Sequence, residues 1–281
     1  MPARRVVTGR SQQPRKRFAE ELRLLRNRSG ETLRELSDRL GWDTSTLGKM
    51  ESGVSLGSPE VVEALETHYG LPTGLLLALW ELALGDNGQF KEQYRRYMEL
   101  EAEAASLYQF SVSTIPGLLQ TAGYARAVLS LGGLKDKALE QQVEARLGRQ
   151  KLLDVDGAPR FRAILAEAVL RTPLRDTLEW RKQVEHLLAM SERYHVSLQV
   201  LPHRAGLYDL VNTDTMFLRL PLNSIVAYVE TAHRGELIEE NAAVERLQRA
   251  YDATRDLAFS PAESQEFITR ILEDLPCEPS T

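Results

Sequence analysis

With 281 residues, of which 43% are hydrophobic and 27% charged, and a net charge of −5, the chain is typical of a soluble globular protein long enough for two domains. Its longest apolar run, residues 74–80, is far too short to cross a membrane, and its N-terminal residues lack the apolar stretch that a secretory signal needs. Its single cysteine, Cys277, excludes a disulfide within the chain and suits a reducing cytoplasm.

Positive charge is concentrated at the N-terminal end. Residues 1–50 hold twelve Lys and Arg against six Asp and Glu, so this end carries +6 and the rest of the chain −11. A basic end on an acidic body suggests that a polyanion binds at that end. Residues 1–14 show no helical spacing of apolar residues, and we predict that they form a disordered basic arm.

Residues 15–85 are predicted to form a domain of five short helices. Apolar residues recur at helical spacing from Arg15 onward, and turn-forming residues at 85–88 mark the domain boundary. The predicted start signals are a capping box of Thr32 and Glu35, the N-cap residue Asp43, and Ser58 followed by Pro59. The predicted stops are Gly30, Gly41, Gly53 and Gly70.

The second and third of these helices have the spacing of a helix-turn-helix motif. Ser37 supplies a small residue within the first helix, Gly41 forms the turn, and Leu47 supplies an apolar residue in the second. This register allows the apolar residues to share one core, and the second helix then lies exposed. The apolar residues are Leu36, Leu40, Trp42, Leu47 and Met50.

The second helix of the motif begins with a run of short polar residues. Asp43 is assigned to capping, because a carboxylate aimed at phosphate would repel it. Thr44, Ser45 and Thr46 carry hydroxyls that can contact bases or phosphates, and Lys49 lies one turn beyond Ser45 on the same side. We therefore predict double-stranded DNA as the partner; the alternative is a capping cluster on an ordinary helical domain.

Residues flanking the motif are predicted to contact the phosphate backbone. Arg15, Lys16 and Arg17 stand at the start of the first helix, and Ser52 and Ser55 follow the third. Each of these residues could equally be plain solvent-exposed surface.

Residues 89–276 are predicted to form a mixed α/β domain, so the chain as a whole is mainly α. Helices are expected over residues 90–108, 121–130, 136–153, 176–195 and 236–258, and a last one opens at Ser260. Strands are expected over residues 159–167, 196–202, 215–220 and 224–230.

This second region shows no catalytic pattern. It contains no nucleophile elbow, phosphate-binding glycine loop, metalloprotease motif or cysteine cluster, and the five histidines lack metal-ligand spacing. We therefore expect no catalytic residues, metal or cofactor. Glu99, Glu101 and Glu103 are expected to face solvent. Glu230 and His233 could line a pocket, although a strand-end turn is the interpretation that we favour.

Residues 32–53, TLRELSDRLGWDTSTLGKMESG, resemble the Cro/repressor-like helix-turn-helix domains of the xenobiotic-response-element type. Two departures stand out. Leu33 occupies a position where the family often has a DNA-contacting glutamine, and the first exposed positions of the third helix carry no Gln, Asn or Arg. The resemblance implies DNA binding, and the two departures indicate a larger share of phosphate contacts and shape readout.

Four segments resemble the C-terminal domain of actinobacterial WhiJ-type regulators. They are IPGLLQTAGYARAVL (115–129), ARLGRQKLL (145–153), VSLQVLP (196–202) and SPAESQEFI (260–268). The resemblance implies a cytoplasmic transcription factor, often a repressor, of development or antibiotic production. It also implies a small partner protein, in an arrangement likened to toxin–antitoxin pairs.

Four functional hypotheses follow. In the first, the protein is a regulator that binds palindromic operators as a homodimer, with half-sites one helical turn or a multiple apart. In the second, the C-terminal domain senses a small-molecule effector in an apolar pocket. In the third, it is an antitoxin-like module that neutralises a small partner encoded nearby and controls its own operon. An enzyme is ranked last, because no cluster of ionisable residues is visible.

Overall fold

The computed structural model describes residues 14–72, 74–84, 90–231 and 234–275. The predicted arm before Pro14, the boundary at 85–88, His233 and Cys277 lie outside these residues. Five helices come first, as predicted: α1 (Pro14–Ser29), α2 (Leu33–Leu40), α3 (Thr44–Glu51), α4 (Pro59–Tyr69) and α5 (Leu75–Leu84). Their buried side chains form one core that includes Phe18, Leu36, Leu47, Met50 and Trp80.

Local capping interactions set the ends of α2. Glu35 N donates to Thr32 Oγ1 at 3.2 Å and Thr32 N donates to Glu35 Oε2 at 2.7 Å, which confirms the predicted capping box. Gly41 ends the helix at φ 73, a left-handed conformation that glycine adopts without steric cost. Ser58 is the N-cap residue of α4 with Pro59 in the first turn, as predicted, but its hydroxyl bonds the Glu60 carboxylate and caps no backbone N–H.

The rest of the described chain combines helices with one sheet. The helices are α6 (Phe90–Glu103), α7 (Ala122–Leu131), α8 (Asp136–Gln150), α9 (Glu167–Leu170), α10 (Thr177–Ser191), α11 (Asn241–Leu257) and α12 (Pro261–Glu273). The strands are β1 (Ser106–Ser111), β2 (Arg160–Ala166), β3 (Val196–Leu201), β4 (Asp214–Arg219), β5 (Ile225–Thr231) and β6 (Arg234–Ile238). None of the described helices is long and apolar enough to span a bilayer.

The sheet has the strand order β3-β2-β1-β4-β5-β6. Strands β1, β2 and β3 run parallel, and β4, β5 and β6 continue from β1 in antiparallel pairs. The chain therefore extends the sheet in one direction from β1 and then returns to extend it in the other. The edge where β1 ends and β4 begins is a topological switch point.

Helices cover both faces of the sheet. On one face the Tyr97 ring of α6 stacks on Tyr228 of β5 with centroids 4.7 Å apart. On the other, the Tyr251 ring of α11 meets Phe217 of β4 edge-on at 5.4 Å. Because side chains alternate along each strand, Gln109 and Met216 share the α6 face with Tyr228.

Two expectations about secondary structure were wrong. The helix predicted to reach Tyr108 ends at Glu103, and residues 106–111 form the central strand β1. Residues 236–240, predicted as helix, include the end of β6, and α11 begins only at Asn241. At residues 106–111, pairing with the distant strands β2 and β4 outweighs local propensity, and at the end of β6 pairing with the neighbouring strand β5 does so.

Helix α8 connects the two parts of the molecule. Its Ala145 is fully buried within the core of the first five helices. A Cβ at Gly148 would lie 3.0 Å from Leu77 Cδ1, so the missing side chain lets α8 approach α5 closely. Lys151 Nζ also lies 2.6 Å from Glu63 Oε2 of α4.

Candidate nucleic-acid interface

Asp43 fixes the start of α3. Ser45 N donates to Asp43 Oδ1 at 2.7 Å, so Asp43 is the predicted N-cap. Hydrogen bonds from the Ser45 side chain and backbone hold the pKa of Asp43 below its usual range. The cap carboxylate is therefore ionised and hydrogen-bonded within its own helix. The residues that follow it on the first turns of α3, namely Thr44, Ser45, Thr46 and Lys49, are called the leading edge.

The leading edge of α3 is open to solvent. Thr44, Ser45 and Lys49 are exposed, whereas Leu47 and Met50 on the opposite side are buried in the core. The helix N-terminus carries partial positive charge that favours an approaching phosphate. The structure thus brings three of the predicted contact residues together on one accessible face.

Two interactions hold α3 in place from behind. Arg26 of α1 donates to both carboxylate oxygens of Glu51, at 2.7 and 2.9 Å, and the two side chains are 14% and 9% exposed. The hydrogen bond to Glu51 raises the pKa of Arg26. Ser37 Oγ donates to the Trp42 carbonyl at 2.5 Å and so fixes the turn between α2 and α3. The exposed face of α3 is therefore presented in a defined orientation.

The predicted phosphate contacts near α3 differ in accessibility. Arg15 is exposed and its Nη2 donates to the Val54 carbonyl at 3.3 Å, which places the start of α1 beside the loop after α3. Ser52 is exposed at the end of α3, while Ser55 is half-buried and accepts from Gly57 N at 3.2 Å. Arg17 is half-buried and makes contacts of its own within the protein.

Thr46 faces a groove between α3 and α8. Thr46, Trp42 and Ser55 line one wall, and α8 contributes Lys137, Glu140 and Glu144 to the other. Sequence reasoning missed this charged wall, because α8 lies about 90 residues away along the chain and no local pattern signals the approach. A duplex on the leading edge of α3 would have α8 as its neighbour.

The buried carboxylate of Glu31 links the exposed Arg39 of α2 to His68 of α4. Glu31 lies 2.6 Å from Arg39 Nη1 and 3.0 Å from His68 Nε2, and its side chain is 6% exposed. The hydrogen bond with His68, together with one from Ser29, holds the pKa of Glu31 below its usual range.

In the described part of the chain, no group of three or more His, Cys, Asp or Glu side chains could hold a metal ion.

An exposed, capped second helix, held over a buried apolar core and preceded by a left-handed glycine turn, defines a helix-turn-helix DNA-binding protein. Residues 17–80 match the family described as a helix-turn-helix domain. Residues 94–270, more than half of the chain, match the Domain of unknown function (DUF5753), and the protein belongs to this family. No curated protein and no solved structure matches the chain.

Proposed function

We propose that the protein is a transcriptional regulator that reads duplex DNA with the leading edge of α3. The observation that carries this proposal is the exposure of Thr44, Ser45 and Lys49 on a capped helix whose opposite face is buried. In this assignment residues 15–85 are the DNA-binding domain, residues 89–276 are the regulatory domain, and the protein acts in the cytoplasm.

The chemistry of the leading edge defines how DNA is read. Thr44, Ser45 and Thr46 offer short donors, acceptors and methyl groups, and Lys49 offers charge or a guanine contact. Arg15, Arg17, Ser52 and Ser55 add phosphate contacts, which position the protein without specifying sequence. Because no long amide or guanidinium side chain lies on the leading edge, DNA shape contributes much of the specificity.

The resemblance to WhiJ-type regulators supports a finer assignment. The protein would be an actinobacterial repressor of the xenobiotic-response-element type that controls development or specialised metabolism. It would act as a homodimer on palindromic operators and bind a small partner protein encoded nearby. The antitoxin-like alternative adds neutralisation of that partner; co-purification of a stable complex from a strain that encodes both proteins would support it.

Site selection from a pool of random duplexes tests the proposal directly. We expect the full-length protein to enrich inverted repeats with half-sites one helical turn or a multiple apart. Enrichment of single half-sites would support sequence-specific DNA binding but would overturn the proposed binding as a homodimer. No enrichment over the starting pool would overturn the proposed function.

Variants then test which surface reads DNA. Replacing Lys49 with alanine should weaken DNA binding about 10-fold at moderate salt. It should also reduce the slope of log K against log salt concentration by about one, since one phosphate contact is lost. Lys182→Ala is the matched control, because Lys182 is an exposed lysine on α10 paired with Glu179. Equal binding by the two variants would show that α3 is not the reading surface.

A further inference from the structure

A cavity of about 450 Å³ lies on the α6 face of the sheet. Its floor is formed by Gln109, Met216 and Glu230, and its walls by α6, α8 and the loop after β1. It opens at the edge where β1 ends and β4 begins, which is the topological switch point described above. In open α/β sheets this crevice is the place where ligands bind, and the volume is that of a small-molecule site.

Two carboxylates face each other on the floor of this cavity. Asp214 and Glu230 are direct partners in the register of β4 with β5, so their side chains project from the same face of the sheet. Like charges directly opposite each other destabilise a strand pair. Burial raises the pKa of both carboxyl groups, and the charge of Asp214 adds to the rise at Glu230. The fold therefore keeps two acids at a position where protein packing alone disfavours them.

The protein holds these two acids unequally. Asp214 accepts a hydrogen bond from Val112 N at 2.6 Å and another from Ser113 Oγ at 2.8 Å. Among the residues that the structure describes, none donates a hydrogen bond to the Glu230 carboxylate or forms an ion pair with it within 4 Å. The fixed orientation of Asp214 leaves Glu230 as the group that a ligand would engage.

The nearby arginines are committed to other partners. Arg149 lies 2.7 Å from Glu101, and Arg146 Nη1 donates to Gln120 Oε1 at 3.1 Å. With Glu101 neutralised by Arg149, the acids outnumber the bases on the cavity lining by one. Apolar side chains, among them Val112, Leu118 and Val128, also line the cavity. The lining is thus complementary to a molecule with one cationic group and a short carbon skeleton.

We propose that this cavity binds a small organic amine, with its ammonium group between Asp214 and Glu230, and that α8 transmits its occupancy to the DNA-binding surface. The second half of this proposal rests on the proposed function, and the first does not. It gives the effector hypothesis a chemical class, a primary or secondary amine, and a place in the fold.

One rigid helix links the two sites. The end of α8 carries Arg146 and Arg149 into the cavity lining, while Lys137, Glu140 and Glu144, nearer its N-terminus, line the groove beside Thr46. Between these two regions, Ala145 is buried in the core of the first five helices, and beyond it Gly148 packs against Leu77 of α5. A ligand that shifts α8 would therefore move acidic side chains relative to the surface that receives DNA.

Matched ligands test the binding half on the full-length protein without DNA. We would titrate 4-phenylbutylamine, 4-phenylbutanol and 4-phenylbutyrate, which share one skeleton and differ in charge, and measure Kd by calorimetry at neutral pH. We expect the amine to bind at least about 10-fold more tightly than the alcohol, and the carboxylate more weakly still. Equal binding of the amine and the alcohol, or binding of Mg²⁺ or Ca²⁺ without the amine, would overturn the proposal.

Variants locate the site. Glu230→Gln should lose about 10-fold or more in amine affinity, whereas Glu239→Gln, an exposed glutamate just beyond β6, should bind as the unaltered protein does. Val128→Trp, which fills the cavity and leaves the carboxylates in place, should also abolish amine binding. Retained amine affinity in a folded Glu230→Gln or Val128→Trp variant would place the amine elsewhere.

A separate titration tests the coupling. Affinity for a selected operator would be measured with and without saturating amine, and we expect a change of about 5-fold or more, within the usual range of allosteric coupling. An unchanged operator affinity would overturn the proposed coupling between the cavity and the DNA-binding surface, but not the proposed amine site. Amine binding by a protein that selects no operator would overturn the proposed function and leave the cavity assignment intact.

Discussion

Arg149 of α8 and Glu101 of α6 form an ion pair of 2.7 Å in which both side chains are buried. Tyr97 OH donates a second hydrogen bond to Glu101 Oε1 at 2.5 Å. The pair fastens α8 to α6 at the same point where α8 packs on α5. It also overturns the expectation that Glu101 faces solvent.

Removal of one member of this pair should be costly. We expect Arg149→Met to lower the free energy of unfolding by about 3 kcal/mol, because it leaves an uncompensated carboxylate in the interior. The double variant Arg149→Met with Glu101→Leu should recover much of that loss. Urea denaturation of the three proteins measures both values, and a Met variant as stable as the parent would contradict the burial of the pair.

The Arg26–Glu51 pair should couple α1 to α3 more strongly than an exposed pair couples α7 to α8. We expect a double-mutant cycle on Arg26 and Glu51 to give a coupling energy of about 2 kcal/mol or more. The bidentate pair of Arg126 and Glu140, with side chains 45% and 50% exposed, should give a much smaller coupling energy. Equal coupling energies would show that burial does not strengthen the first pair.

Glu66 of α4 should act as a cap for α5. Its carboxylate accepts hydrogen bonds from the backbone N–H groups of Gly74, Leu76 and Leu77 at 2.9, 2.5 and 3.0 Å. We expect Glu66→Ala to destabilise the protein by about 2–4 kcal/mol, since three buried donors lose their acceptor. Glu245→Ala, at an exposed position of α11, is the control in thermal denaturation, and similar losses in both variants would argue against the cap.

Two glycines with the same backbone angle allow strain to be separated from crowding. Gly30 and Gly57 both have φ +73, but a Cβ at Gly30 meets nothing within 4 Å, whereas one at Gly57 would lie 2.6 Å from Met50 Sδ. We expect Gly30→Ala to cost about 1 kcal/mol from left-handed strain alone. Gly57→Ala should cost about 1–3 kcal/mol more, because the fully buried end of the Met50 side chain must shift within the core. Equal melting temperatures would contradict this difference.

Stability should depend on pH through Glu230. Burial raises its pKa in the folded protein, as does the charge of Asp214, while Arg146 and Arg149 act in the opposite direction. The stabilising contribution of its proton is complete below the unfolded pKa of about 4.3 and is lost as pH rises through the folded value. Glu230→Gln should therefore raise the melting temperature at pH 7 to 8 and change it little near pH 4.

The control for this pH profile is Glu239→Gln, which removes an exposed charge. Its melting temperature should follow that of the unaltered protein at every pH. A Glu230→Gln effect of the same size at pH 4 and pH 8 would show that the carboxylate is not held away from water.

The sequence predicted best those features that depend on neighbouring residues. The capping box at Thr32, the cap at Asp43 and the glycine stop at Gly41 involve contacts over a few residues, so local chemistry was sufficient. Burial of Leu47 and Met50 likewise follows from helical spacing. The helix-turn-helix register could therefore be predicted almost residue by residue.

Features that depend on distant partners could not be predicted. The alternation of Glu99, Glu101 and Glu103 favoured solvent exposure, yet Arg149, 48 residues away, draws Glu101 into the interior. The sequence pattern around Glu230 favours a turn at the end of a strand over a pocket position, whereas the structure places Glu230 on the cavity floor opposite Asp214. Strand register and helix packing decide such positions, and neither is visible in one local window.

The burial of Ala145 among side chains of the first five helices has a practical consequence. A fragment ending before residue 90 would leave Leu77 and its apolar neighbours uncovered by α8, and we expect such a fragment to self-associate or to melt at a lower temperature. A chimera that joins the five N-terminal helices to another sensor domain would have to include α8 as well. Evolution would face the same constraint, so residues at this seam should change together when either half diverges.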